Sequence, residues 1–324
     1  MSEALENLQK GDEIPAFDDD DEYEKELWLQ HPEDLDIDKF NRGRNFFKKN
    51  ISKCLIAMMM SLICGLSINR FLKVLVCTGM TSSPFSSFKR YMGTTMHVLK
   101  WHYGNVWDPL SSASKSIRSV RKLHSDARTL MQENDHSSDE VNNCTFARKE
   151  DKSDHHIYIS QYEMGLVQSG FMGSIIMYPD KFGIRCSNGD LDDYVYFWRW
   201  IGYLLGIDNK YNICIDGYEK ANMICHAIEQ NILIPSLYNP PVHFYPMADA
   251  FVSGFKFYPL ASTKSIIATG FRLVNYKCPF PINYADTLRI YFARSILVLL
   301  YYFPSFTRCL NRGIEKMYKC DRIT

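Results

Sequence analysis

The stretch that decides the reading is KRYMGTTMHVLKW (89–101), followed after the turn Tyr103-Gly104-Asn105-Val106-Trp107-Asp108-Pro109 by SIRSVRKLHSDAR (116–128). Apolar residues recur at three and four positions in both halves, so each half is predicted to be a helix, over about 85–101 and 111–131. Asp108-Pro109 and Ser111-Ser112 mark the start of the second. Two helices joined by so short a turn pack antiparallel. Arg90 and Thr94, four apart, share a face of the first, and Arg121, His124 and Arg128, at spacings of three and four, share a face of the second. That pairing can bring a hydroxyl and a guanidinium opposite an imidazole.

Outward from this hairpin the same period predicts helices over 45–78, 158–178, 190–206, 216–232 and 283–302, and strand signals are weak. The expected fold is therefore all-α, a single large multi-helix domain. Residues 1–24, with Asp18-Asp19-Asp20-Asp21-Glu22, read as a disordered acidic tail, and 25–324 as the folded domain. The polar run 133–156 reads as a mobile loop, and Val242 to Pro281 as less regular chain after Asn239-Pro240-Pro241.

Composition narrows the function classes. In 324 residues, 37 Lys+Arg balance 37 Asp+Glu, so no basic excess points to a nucleic-acid partner, and 46% hydrophobic residues suffice for a large core. The ten cysteines lie singly, with no CxxC pair, and read as mostly free thiols of a reducing compartment. The acidic start Met1-Ser2-Glu3-Ala4-Leu5-Glu6 has neither the basic nor the apolar segment of a secretory leader, so an intracellular location is expected. Cys54 to Leu66 is 13 residues of apolar chain, short of the roughly 18 to 20 that span a bilayer, and reads as a buried helix. Tyr291 to Phe306 is aromatic, interrupted by Arg294 and Pro304 and followed by Arg308, Arg312 and Lys316. Residues 287–306 are thus either a membrane-associated helix or a packed core helix.

Motifs of other chemistries are missing. No GxSxG, GxxxxGK[ST] or HExxH occurs. His97 and His102, five apart around Trp101, do not match a same-face metal pair and read as packing residues. Trp198 and Trp200 read as core, and Arg199 between them calls for a carboxylate, a propionate or an exit to solvent.

The order R-x-x-x-T, then V-R-x-x-H about thirty residues later, here Arg90, Thr94, Arg121 and His124, resembles the haem site of the latex-clearing (rubber oxygenase) and MpaB-type oxygenase family. Gln161-Tyr162-Glu163-Met164, Phe171-Met172-Gly173 and the run Phe197 to Ile207 are similar to that family's following helices. The resemblance implies a globin-like helical core with a buried haem b pocket, His124 as axial iron ligand, Arg121 and Arg128 as cofactor-binding cations, and Arg90 with Thr94 as catalytic residues on the oxygen-binding side. Thr95 is the alternative to Thr94. It further implies an oxidoreductase that uses dioxygen on an apolar, unsaturated isoprenoid or lipid-like substrate, in the cytoplasm or on the cytoplasmic face of the endoplasmic reticulum. Two departures bear on activity. The latex-clearing protein's lysine before the threonine is here Gly93, and residues 51–100 contain neither Asp nor Glu to act as a distal base. A non-catalytic haem- or lipid-binding protein on the same scaffold is the alternative.

Overall fold

The computed structural model describes residues 3–17, 32–79, 83–136, 157–257 and 259–321. Its regular structure is helical: α1 Glu3–Gln9, α2 Ile37–Lys49, α3 Ile51–Gly65, α4 Asn69–Cys77, α5 Pro84–Tyr103, α6 Ser112–His136, α7 Gln161–Met177, α8 Asn188–Leu204, α9 Gly217–Ile228, α10 Ile234–Tyr238, α11 Phe244–Gly254, α12 Thr263–Leu273, α13 Tyr284–Tyr302 and α14 Pro304–Asp321. The only β-type pairing among the described residues is a single bridge between Pro15 and Ser160. The fold is all-α, as expected.

The central hairpin forms where its caps put it. Ser83 accepts from the Ser86 N–H at 3.2 Å while Ser86 Oγ accepts from the Ser83 N–H at 3.0 Å, and Pro84 follows in the first helical turn. Such a reciprocal cap contributes about 1 kcal/mol and fixes where α5 starts. In the turn, Ser111 Oγ receives the Ser114 N–H at 3.1 Å and Ser114 Oγ donates to Asp108 O at 2.6 Å, which starts α6.

Helices α2, α7, α8 and α9 surround the larger core, in which Phe40, Phe47, Tyr194, Phe197 and Trp200 are almost wholly buried. A second cluster, formed around Leu72, Tyr91, Phe244, Phe251 and Phe271, joins α3–α5 to α10–α12. Burial of each such ring is worth roughly 1.5–3 kcal/mol, so these aromatics dominate the packing energy.

Several boundaries depart from expectation. The predicted helix 45–78 is three helices, because Asn50 closes α2 through its N–H to Phe46 O and Phe47 O, and the chain turns again at Leu66–Ile68. Residues 3–17 are not a disordered tail: Leu5 and Leu8, three apart, are buried against α7 and α9, and Asp12 pairs with Arg70. Residues 18–31 lie outside the described residues, as does 137–156 of the predicted loop 133–156, whose first four residues continue α6. The segment expected to be irregular after Val242 holds α11 and α12. Cys54, Cys64, Cys186, Cys214, Cys225, Cys278 and Cys309 are free thiols, whereas Cys77 is disulfide-bonded. Arg199 does find its carboxylate, Asp34, and stacks at 4.7 Å over Trp200.

Candidate functional site

The α5–α6 hairpin is locked in register at one point. Ser116 Oγ lies 2.7 Å from His97 Nδ1 and receives the Trp101 indole N–H at 3.1 Å. From that level Arg90 stands seven residues back along α5 and His124 eight residues on along α6. At 1.5 Å per residue these are about 10 and 12 Å in the same direction, so Arg90 and His124 reach the same height of the antiparallel pair, with Thr94 between them and the lock.

The choice between the two threonines follows from the helix faces. Tyr91 meets Phe251 of α11 edge-on at 4.3 Å, and Thr95, whose hydroxyl donates to Tyr91 O at 2.9 Å, is buried on that same side. Thr94 lies instead on the side of α5 that carries His97 toward α6. It is half-buried, with its hydroxyl on Arg90 O at a longer 3.2 Å.

Arg90 is unusual. Its guanidinium is desolvated, which pulls its pKa below the ordinary arginine value, with only Tyr91 opposing the shift. Among the described residues it has neither a hydrogen-bond nor an ion-pair partner. A half-buried, desolvated cation of this kind carries a cost that an anion would relieve. A Cβ added at Gly93, one turn along α5 from Arg90, would meet nothing within 4 Å, so the surface of the helix is open there. An aromatic row connects α5 to α7, with Trp198 6.4 Å from Trp101 on α5 and 5.6 Å from Phe171 on α7.

His124 is half-buried on α6, between two buried arginines. Arg121 donates to Leu204 O at 3.3 Å, at the C-terminal end of α8. Arg128 donates to Tyr158 O at 3.0 Å, Ile159 O at 3.0 Å and Ala16 O at 3.2 Å. These cations satisfy carbonyls at chain ends and so stitch α6 to α8 and to the N-terminal segment. Helix rise from the Ser116 lock thus puts Arg90, Thr94 and His124 on the same stretch of the hairpin, while Arg121 and Arg128 donate to backbone carbonyls.

The neighbouring histidines are packing residues. His102 is fully buried, stacks on Phe47 at 3.7 Å and hydrogen-bonds Val98 O at 2.8 Å through Nδ1; burial pushes its pKa down to about 3, so it is neutral. Burial also lowers the pKa of His97. Among the described residues no group of three His, Cys, Asp or Glu side chains is placed to hold a metal ion. The donor set available to a metal centre here is a single imidazole with a nearby unpaired cation. Those types suit a haem, which needs one axial nitrogen and countercharge for its propionates in an apolar surround.

One polar feature has no motif in the sequence. Pro235 cannot donate to the carbonyl four residues earlier and crowds it, and the helix widens into a π-turn over Glu229–Leu233 just before it. Glu229 there accepts from the Tyr178 hydroxyl at 2.6 Å, with His226 Nδ1 at 3.8 Å, and burial raises its pKa. It borders a cleft of about 440 Å³, open mouth included, otherwise lined by such residues as Met60, Leu237 and Phe271. A proline inside a helical pattern was its one sequence signal.

Fold and constellation together define an all-α domain whose polar residues of interest sit on an antiparallel hairpin. Residues 51–211, from α3 to just beyond α8, match the family described as ER-bound oxygenase mpaB/B′/rubber oxygenase, catalytic domain, and the chain belongs to that family. The matched stretch contains Arg90, Thr94, Arg121, His124 and Arg128. No curated protein and no solved structure matches the chain.

Proposed function

We propose that this protein is a haem b-dependent oxygenase that acts with dioxygen on an apolar, unsaturated isoprenoid or lipid-like substrate. The family supports the oxygenase class. The observation that supports the haem is the half-buried, desolvated guanidinium of Arg90, without a partner among the described residues, on the same stretch of the hairpin as His124. His124 would hold the haem iron through its imidazole. Thr94 offers a hydroxyl from the facing helix, Arg90 supplies positive charge on that side, and Arg121 and Arg128 hold α6 so that the imidazole keeps its place. Bound haem supplies the capacity to bind and activate dioxygen. The chain's own contribution is the imidazole, a hydrogen-bond donor, charge and exclusion of water by the aromatic row of Trp101, Trp198 and Phe171.

Gly93 favours a second reading, a haem- or lipid-binding protein without turnover, because it leaves open space where a lysine would stand and no carboxylate lies within 51–100. Absorption spectroscopy of the purified protein tests both. A Soret band is expected in the wild type and in His97→Ala and lost in His124→Ala; retention in His124→Ala refutes the ligand assignment. Oxygen consumption with unsaturated lipids then separates oxygenase from binding protein.

A further inference from the structure

Helix α13 presents two different sides. Asp286, Ile290 and Leu300 face the protein, whereas Tyr284, Leu288, Tyr291, Phe292, Val298, Leu299 and Tyr302 are between 40% and 80% exposed. At 100° per residue the exposed set falls within an arc of about 120° that runs the length of the helix. Phe303 and Phe306, at and beyond the break, are exposed as well. Arg294, at its border, is the one fully exposed charge on α13. A continuous row of this size is far outside the scattered single apolar residues of an ordinary surface.

The chain then bends by 103° into α14, and the character of the surface changes. The exposed charged side chains from Arg308 to Lys319 are all cations, Arg308, Arg312 and Lys316 recurring every four residues along one face. Glu315 is turned inward, where it accepts from the Tyr103 hydroxyl at 2.9 Å. Arg185, at 4.2 Å over the Tyr301 ring, adds a further cation near the end of α13. Among the described residues no single helix is long and apolar enough to cross a membrane.

We propose that α13 and α14 form an interfacial docking surface for an anionic lipid bilayer. The row from Tyr284 to Phe306 lies in the plane of the membrane with its side chains among the upper acyl chains. Tyrosines at Tyr284, Tyr291 and Tyr302 keep their hydroxyls at headgroup level, and the Arg308–Arg312–Lys316 row meets the lipid phosphates. Tyrosine suits this depth because one end of its ring is apolar and the other wet. The cationic row selects a charged lipid surface over a second copy of this chain, since two copies apposed through α14 would set like charges against each other.

Flotation of the full chain with liposomes of neutral phosphatidylcholine, and with the same lipid carrying phosphatidylserine, tests this surface. Binding is expected to anionic liposomes and to weaken as salt is raised. Arg308→Gln/Arg312→Gln/Lys316→Gln should weaken anionic binding on the order of 100-fold, about five-fold per cation. Leu288→Asp/Val298→Asp should abolish binding to both lipids. These positions are exposed, and circular dichroism with a thermal melt checks that each variant keeps the wild-type helicity and stability. Equal binding by wild type and variants overturns the proposal. So does a wild-type dimer in sedimentation that Leu288→Asp/Val298→Asp dissociates while wild-type liposome binding is absent.

Discussion

Arg128 is buried and Arg90 half-buried, and their replacement by methionine should change stability in opposite directions. Methionine preserves much of the aliphatic stem and deletes the guanidinium. At Arg128 the deletion removes, among the described residues, the donations to Tyr158 O, Ile159 O and Ala16 O at 3.0–3.2 Å, and leaves these carbonyls without them beside a buried side chain. Hydrogen bonds from a charged donor are worth about 1.5–3 kcal/mol each and share one desolvation cost, so a net loss of about 3–5 kcal/mol is expected. At Arg90 the deletion removes a desolvated cation with no partner among the described residues, so the cofactor-free protein should gain about 1–3 kcal/mol. Equilibrium urea unfolding of protein stripped of any bound cofactor measures both. Destabilisation by Arg90→Met of 1 kcal/mol or more would refute the reasoning, because it would mean that the guanidinium already has an anion to meet. Haem titration of the same variant supplies the complementary readout, in which affinity should fall although stability has risen.

Glycine replacement makes a second contrast. Gly43→Ala should cost about 2–4 kcal/mol by thermal or urea unfolding, since the new Cβ would sit 2.1 Å from the Asp193 carbonyl oxygen, which belongs to the backbone of α8 and cannot swing aside. Gly93→Ala meets nothing within 4 Å and should gain about 0.5–1 kcal/mol from the lower helix cost of alanine. For pH, the folded pKa of His102 lies below its unfolded value, so its contribution is present above about pH 6.5 and is lost as the pH falls toward 3. Between pH 6.5 and 5 the wild type should lose about 2 kcal/mol through this one group, and His102→Phe should flatten that part of the stability profile.

The α5–α6 hairpin was legible in the sequence because its ends carry strong local chemistry: Ser83 and Pro84 at one start, Asp108, Ser111 and Ser114 at the other. The breaks at Asn50 and Leu66 were not, since no proline marks them and the helical spacing of apolar residues resumes on the far side of each. Pro304 interrupts the apolar run in the sequence and opens α14 in the fold, as a proline in the first helical turn gives up an N–H that has no partner there in any case. Helix α1 was hidden by its charge, although two leucines three apart were enough to dock it. Within the candidate site, spacing alone placed Arg90, Thr94 and His124 on suitable faces. It could not show that Arg121 and Arg128 would serve carbonyls, because a backbone acceptor is present at every residue and only the tertiary fold says which ones arrive. Nor could it distinguish Thr94 from Thr95, which needed Phe251 on a helix that the sequence reading had left irregular.

The Arg128 carbonyl cluster also determines how far the influence of the chain's beginning extends. Ala16 contributes one acceptor, the Ala16 N–H returns to Ile159 O at 3.1 Å, and the Phe17 N–H reaches Gly206 O at 3.0 Å. Residues 3–17 therefore act as a tether clipped to the helix that bears His124, one turn beyond it. Cleavage after Phe17 would leave the matched family stretch intact and still slacken the mounting of its imidazole, so a protease that never touches the hairpin could detune it.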